Sequence, residues 1–211
     1  MQAWSDLTLP WRTAFEEAWI SWRQGSLAVG AVVTDGEVIV AKGHNQIFHS
    51  GPGPLSGTYM AHAEMNALAQ LPARRGPDYS IYSTFEPCYM CMSALLFYRV
   101  DRIYFASVDP VWAGMHDWLR GAPWASRREA IHEHIGGELG ALGYVLHVSR
   151  LATVAPPHVI DAHREAAGPW FDWATSATAL QALTELRVAG SSATAADVLE
   201  LLWADLVSMQ D

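Results

Sequence analysis

Lysine is almost missing from this chain: Lys42 is the only one, and thirteen basic residues face twenty-two acidic ones for a net charge of −9. Affinity for nucleic acid rests on clustered Lys and Arg that neutralise phosphates, so this balance argues against a phosphate-tracking surface. The deficit deepens along the chain. Residues 1–150 carry eleven basic and fourteen acidic side chains, whereas 151–211 carry two and eight, so the second part repels a polyanion. Long apolar runs are also missing. No stretch approaches the ~20 residues of a membrane-spanning helix. The first thirty residues, broken by Asp6, Pro10, Arg12, Glu16 and Glu17, lack a secretory apolar core, and the expectation is a soluble cytoplasmic protein without membrane contact. Cysteine is scarce as well. With only Cys88 and Cys91, three apart, a disulfide scaffold is excluded, which leaves a redox pair, metal ligation or coincidence.

What is present is apolar: 51% of the residues, with only 17% charged, enough to bury one domain with a substantial appendage and to exclude disorder as the main state. Residues 10–24 place Trp11, Phe15, Ala18, Trp19 and Trp22 on one helical stripe, with Pro10 in the first turn and Gly25 past the end. Two β-rich runs, 27–33 and 37–42, flank Thr34-Asp35-Gly36, a hairpin signal that predicts antiparallel strands. Residues 43–60 hold four Gly and two Pro without periodicity and read as a long functional loop. A helix is expected from about His62 to Gln70, a strand at 79–84, a helix at 88–98 opened by Pro87, and a strand at 102–107. A Trp/Gly/Pro-rich loop (108–125), a helix (126–135) and a last strand (144–149) follow. A connection of that length with a helix inside predicts a parallel crossover. From Ala155-Pro156-Pro157 the pattern becomes helical, near 158–167, 170–188 and 194–207. No internal repeat is visible. These elements predict a three-layer α/β fold, with an antiparallel first hairpin, a parallel remainder, helices on both faces and a C-terminal helical extension.

Three short pieces carry the chemistry: Gly43-His44-Asn45, His62-Ala63-Glu64 and Pro87-Cys88-Tyr89-Met90-Cys91. Each recurs by chance, but their order on a β-α-β-α-β frame is specific. Cys88 and Cys91, at i and i+3 of a helix start, turn both sulfurs to one side where the helix dipole favours thiolates. His62 starts the preceding helix, and neighbouring helix starts meet at the carboxyl ends of the strands, so its imidazole can supply a third ligand. Three protein ligands leave a position for water, the mark of a catalytic zinc site. Glu64, two residues after His62, points about 200° round the helix and is free to accept and return protons; as a first-turn acid it also suits the helix dipole.

HAEMNAL followed by TFEPCYMCMSALL resembles the zinc-dependent cytidine/deoxycytidylate deaminase superfamily, whose signature is H-x-E followed by P-C-x-x-C. Glu86-Pro87-Cys88-x-Met90-Cys91 and a parallel last strand are most similar to the branch of guanine deaminases and tRNA adenosine deaminases. The small cytidine deaminases instead carry a Gly inside the Cys-x-x-Cys and an antiparallel ending. The resemblance spans roughly residues 10–150 and implies a deaminase domain at 1–154 with an extension at 155–211. It implies zinc on His62, Cys88 and Cys91, with Glu64 as proton shuttle. Asn45 matches a substrate-contacting Asn of this branch and equally suits a turn. Backbone N–H groups of Ala63 and Cys88 are candidate partners for a substrate carbonyl. In the loop DPVWAGMHDWL, Trp112 can stack on a flat base and Asp109 or Asp117 can accept from an amine. His49, His132, His134, His147, His158 and His163 read as structural or solvated. The expected activity is hydrolytic deamination of a purine-like nucleobase or nucleoside, guanine first, by a homodimer. Alternatives are tRNA adenosine or cytosine/cytidine deamination, or a non-catalytic deaminase-like zinc partner, which would have no need of Glu64.

Overall fold

The structure is a computed structural model, and it describes residues 4–73, 78–112, 121–123, 125, 130–188 and 192–209. After α1 (Leu9–Arg23), Asp35-Gly36 turns β1 (Gly30–Asp35) back into β2 (Val38–His44). Then come α2 (Ala63–Leu68), β3 (Tyr79–Phe85), α3 (Tyr89–Tyr98), β4 (Arg102–Ser107) and β5 (Ile131–His134). Four helices complete the chain: α4 (Gly137–Leu151), α5 (Pro157–Ala174), α6 (Ala177–Val188) and α7 (Ala195–Ser208). The five strands form one sheet in the order β2-β1-β3-β4-β5. β1 is antiparallel to β2 and β3, whereas β3, β4 and β5 run parallel, the mixed sheet expected.

Alternation along β3 assigns the layers. Ser83 faces α2, where its hydroxyl meets Glu64, and Tyr82 faces α1, where Trp11 lies edge-on to it at 5.4 Å. The apolar stripe of α1 is buried as its spacing predicts, and the indole N–H of Trp22 donates to Ser149 Oγ on α4 at 2.9 Å. Full burial of a side chain such as Phe15 or Leu146 contributes about 1.5–3 kcal/mol. One hydrophobic cluster runs from α1 through the sheet to Phe171, Leu183, Leu202 and Leu206, so the last three helices pack onto the same core.

Two expected elements are corrected. The last strand is not 144–149 but Ile131–His134, a stretch assigned to a helix over 126–135; of that range, 126–129 lie outside the described residues. The parallel crossover itself is present. Ile-His-Glu-His carries no apolar alternation because β5 is a short edge strand, exposed at three of its four residues. Residues 144–149 belong to α4, where Leu139, Leu142, Val145, Leu146 and Ser149 recur at helical spacing and are all buried. Gly143 lets this helix lie against the sheet: a Cβ there would stand 2.5 Å from the Thr84 carbonyl. Further on, the chain leaves helical geometry at Ala167, where the division between the expected segments 158–167 and 170–188 falls, and α5 kinks there ahead of Pro169; the second segment is broken once more, at Thr175-Ser176, where Ser176 Oγ accepts from Ala179 N. Among the described residues no helix is long and apolar enough to cross a membrane.

Candidate metal centre and active-site cavity

His62 and Cys88 occupy equivalent places, each the extended residue before the first turn of a helix, α2 and α3 respectively. Neither side chain caps its helix, so imidazole and thiol are both available to a ligand. Cys91, one turn into α3, is fully buried. His62 Nδ1 lies 3.5 Å from each sulfur, and the sulfurs are 3.7 Å apart. Tetrahedral zinc with Zn–S of ~2.3 Å and Zn–N of ~2.0–2.1 Å requires sulfurs ~3.8 Å apart and nitrogen to sulfur ~3.6 Å. The donor set and its spacing therefore fit the metal, and it is the one such cluster among the described residues. The adjoining Cys91 sulfur, and His62 after it, hold the Cys88 thiol down to about 4 against the effect of burial, while burial pushes Cys91 up. A ligand thiolate at Cys88 is thus available at neutral pH.

Glu64 is buried beside this trio. Its Oε1 accepts from Ser83 Oγ at 3.1 Å, and Oε2 lies 3.4 Å from Cys91 Sγ. Burial raises its carboxyl above the ordinary range, opposed in part by the nearby His62. A carboxyl that exchanges a proton more readily near neutrality is what general acid–base chemistry requires.

A cavity of about 140 Å³ opens onto these groups. Asn45, Ala63, Cys88 and Trp112 line it, whereas Asp117 lies outside the described residues. Asn45 is both turn residue and cavity residue. Its Oδ1 accepts from Ser26 Oγ at 2.7 Å and Ile47 N at 3.1 Å. Trp112, partly exposed, lies edge-on to Tyr89 with centroids 5.7 Å apart. Asp109 is buried in the wall, with Oδ1 accepting from Val111 N at 2.9 Å, and burial pushes its carboxyl up to about 7.

Two histidines of the wall are not solvated. His147 on α4 stacks on Phe85 at 4.0 Å between centroids, and His163 on α5 is buried 6.2 Å from His147, with Nε2 3.9 Å from Asp109 Oδ1. Reading 144–149 as a strand hid His147. On a helix Tyr144, His147 and Leu151 form one stripe, a signal available in the sequence. His163 had no comparable signal.

Residues 7–107 match the family described as the cytidine and deoxycytidylate deaminase zinc-binding region. A tRNA-specific adenosine deaminase of Aquifex aeolicus is 31% identical over 108 residues, covering 49% of this chain and 68% of that protein. A cytosine deaminase of Candida albicans is 29% identical over 96 residues, 44% of this chain and 60% of that one. The structure of a guanine deaminase from Nitrosomonas europaea superposes with a TM-score of 0.50 at 23% identity, over 69% of this chain and 86% of that one, a likeness of fold. The matched span holds the His62, Cys88 and Cys91 cluster, and the chain therefore belongs to the cytidine and deoxycytidylate deaminase family, with zinc as its cofactor.

Proposed function

We propose that this protein hydrolytically deaminates a small nucleobase, guanine first, exchanging a ring-bound amino group for oxygen and releasing ammonia. The size of the cavity carries the reading. At about 140 Å³ it falls well below the roughly 300–1,000 Å³ of pockets that enclose drug-sized ligands, which suits one planar base. Zinc held by His62, Cys88 and Cys91 supplies the means to lower the pKa of water from ~15.7 towards ~7.

The chain's residues supply the rest. Glu64 takes one proton from the attacking water and delivers it to the adjacent ring nitrogen, then takes the second from the new hydroxyl and passes it to the departing amine. Water's oxygen stays on the ring as a carbonyl, and ammonia carries away the amino nitrogen. Ser83 fixes Oε1 and leaves Oε2 directed at the metal centre. Ala63 and Cys88, at helix starts, offer backbone N–H groups to a substrate carbonyl, and Asn45 offers its amide N–H. Trp112 flanks the base with its ring.

The curated tRNA-specific relatives favour a second reading, adenosine in tRNA. The net charge of −9 and the small cavity oppose it. The test is ammonia release from zinc-loaded protein given guanine, adenine and cytosine, their nucleosides, and tRNA. Turnover of a free base with no salt-sensitive tRNA binding is expected; tight tRNA binding with no activity on any small amine overturns the proposal.

A further inference from the structure

Exposure rises outward along three separate segments that line the cavity, and this marks its mouth. Before β1, Val29 is buried, whereas Leu27, two residues earlier on the chain, keeps part of its surface open to solvent. After β4, buried Asp109 gives way to Val111, which is partly exposed, and to Trp112, which is 37% exposed. On α5, His163 is buried, and Val159, one turn earlier on the same helical face, is partly exposed. The Tyr144 hydroxyl of α4 donates to the His163 carbonyl at 3.2 Å and holds α5 in this place. Val159 lies beyond the 7–107 span of the family match, so this side of the mouth is supplied by the C-terminal helices.

The outer side chains are hydrocarbon apart from the indole N–H of Trp112. A space of about 140 Å³ that suits one planar base has no room beside it for a sugar, so the ribose of a nucleoside has to leave through the mouth, whichever way the base lies. There its bulk meets branched aliphatic side chains, and its hydroxyls lose hydration without gaining a partner. We propose that Leu27, Val111, Trp112 and Val159 form an apolar collar that admits a flat base and rejects a nucleoside, with Val159 of the C-terminal helices as a specificity-determining residue. The inference rests on the nucleobase reading above.

The experiment compares guanine with guanosine and cytosine with cytidine, in wild type, Val159→Ala and Val159→Leu, with zinc content and thermal melts measured for each. Wild type is expected to favour the base by roughly 10²-fold or more in kcat/KM, since a sugar adds far more bulk than the single methylene by which apolar pockets already discriminate. Val159→Ala widens the collar and should cut that preference at least about fivefold. Val159→Leu narrows it by one methylene and should raise KM for guanine at least about twofold, with zinc unchanged in both. A purely structural role would not move the two variants in opposite senses. Should the Ala variant not fold, the wild-type preference and the KM of the Leu variant decide. A preference unchanged in Val159→Ala, a KM unchanged in Val159→Leu, or a wild type that accepts guanosine as readily as guanine overturns the collar while the deaminase reading stands. If wild type turns over no base or nucleoside, the nucleobase reading fails and this inference with it.

Discussion

Gly43→Ala is a severe test of how the metal centre is positioned, although the substitution adds one methyl group and touches no ligand. Gly43 lies on β2 under the first turn of α2, and a Cβ there would stand 2.4 Å from Ala63 O and 2.6 Å from Ala67 N. Ordinary contact begins at 3.4 Å, so the helix must lift by about 1 Å. Two side-chain bonds strap this helix and the turn that follows it to the strand: Asn66 Nδ2 donates to His44 O at 2.8 Å, and Gln70 Nε2 to Lys42 O at 2.6 Å. Lifting stretches both. Overpacking costs about 1–3 kcal/mol and each of the two weakened bonds about 0.5–1.5 kcal/mol, so the loss is roughly 2–6 kcal/mol. For a chain of this size, at about 2–4 °C per kcal/mol, that lowers Tm by about 4–24 °C. His62 and Glu64 ride on the displaced turn, and a 1 Å error at a reacting centre costs on the order of 10²-fold in turnover. Thermal melts, zinc content and ammonia release measure all three effects. Gly168→Ala, where a Cβ meets nothing within 4 Å, is the control and should melt as wild type does. Should Gly43→Ala melt within about 1 °C of wild type and keep half its activity, the close approach of α2 to β2 is not what positions the site.

Glu64→Gln keeps size and hydrogen bonding but cannot carry a proton, so turnover on the best base should fall at least ~10²-fold with zinc still bound; more than about a tenth of wild-type turnover would refute the shuttle role. Acid should weaken the fold through His147 and His163. Their folded pKa values lie below the unfolded value of ~6.5, so the stability they contribute is present above that pH and is lost as pH falls towards 4. Asp109, raised to about 7 by burial, acts with the opposite sign, so the comparison is between wild type and His163→Gln in denaturant titrations from pH 7.5 to 4. The variant should show the shallower loss, and parallel curves would show that His163 is already charged in the folded state.

Most of the candidate site could be read because its information is local. Cys88 and Cys91 share a helix face by their spacing, His62 and Glu64 diverge by theirs, and Pro87 and Asp35-Gly36 mark a helix start and a turn through backbone constraints that act within a few residues. The cavity's inner wall was not readable in this way. Nothing near His163 in the chain says that it is buried beside Asp109, fifty-four positions away, because a buried polar side chain is recognised only by its surroundings.

By itself, then, the sequence determined the hairpin, the two helix starts bearing the His-x-Glu and Cys-x-x-Cys residues, and an acidic net charge. Local backbone preference and residue spacing are enough for each of these. Tertiary structure alone decided that the edge strand is Ile131–His134 and that residues 144–149 are helical. It also brought three ligand atoms from two helices to within 4.8 Å of one another, and closed the cavity with histidines from α4 and α5. These outcomes depend on contacts between residues far apart in the chain: an exposed edge strand needs no apolar alternation, and a helix that packs through Gly143 is chosen by the surface it meets as much as by its own sequence.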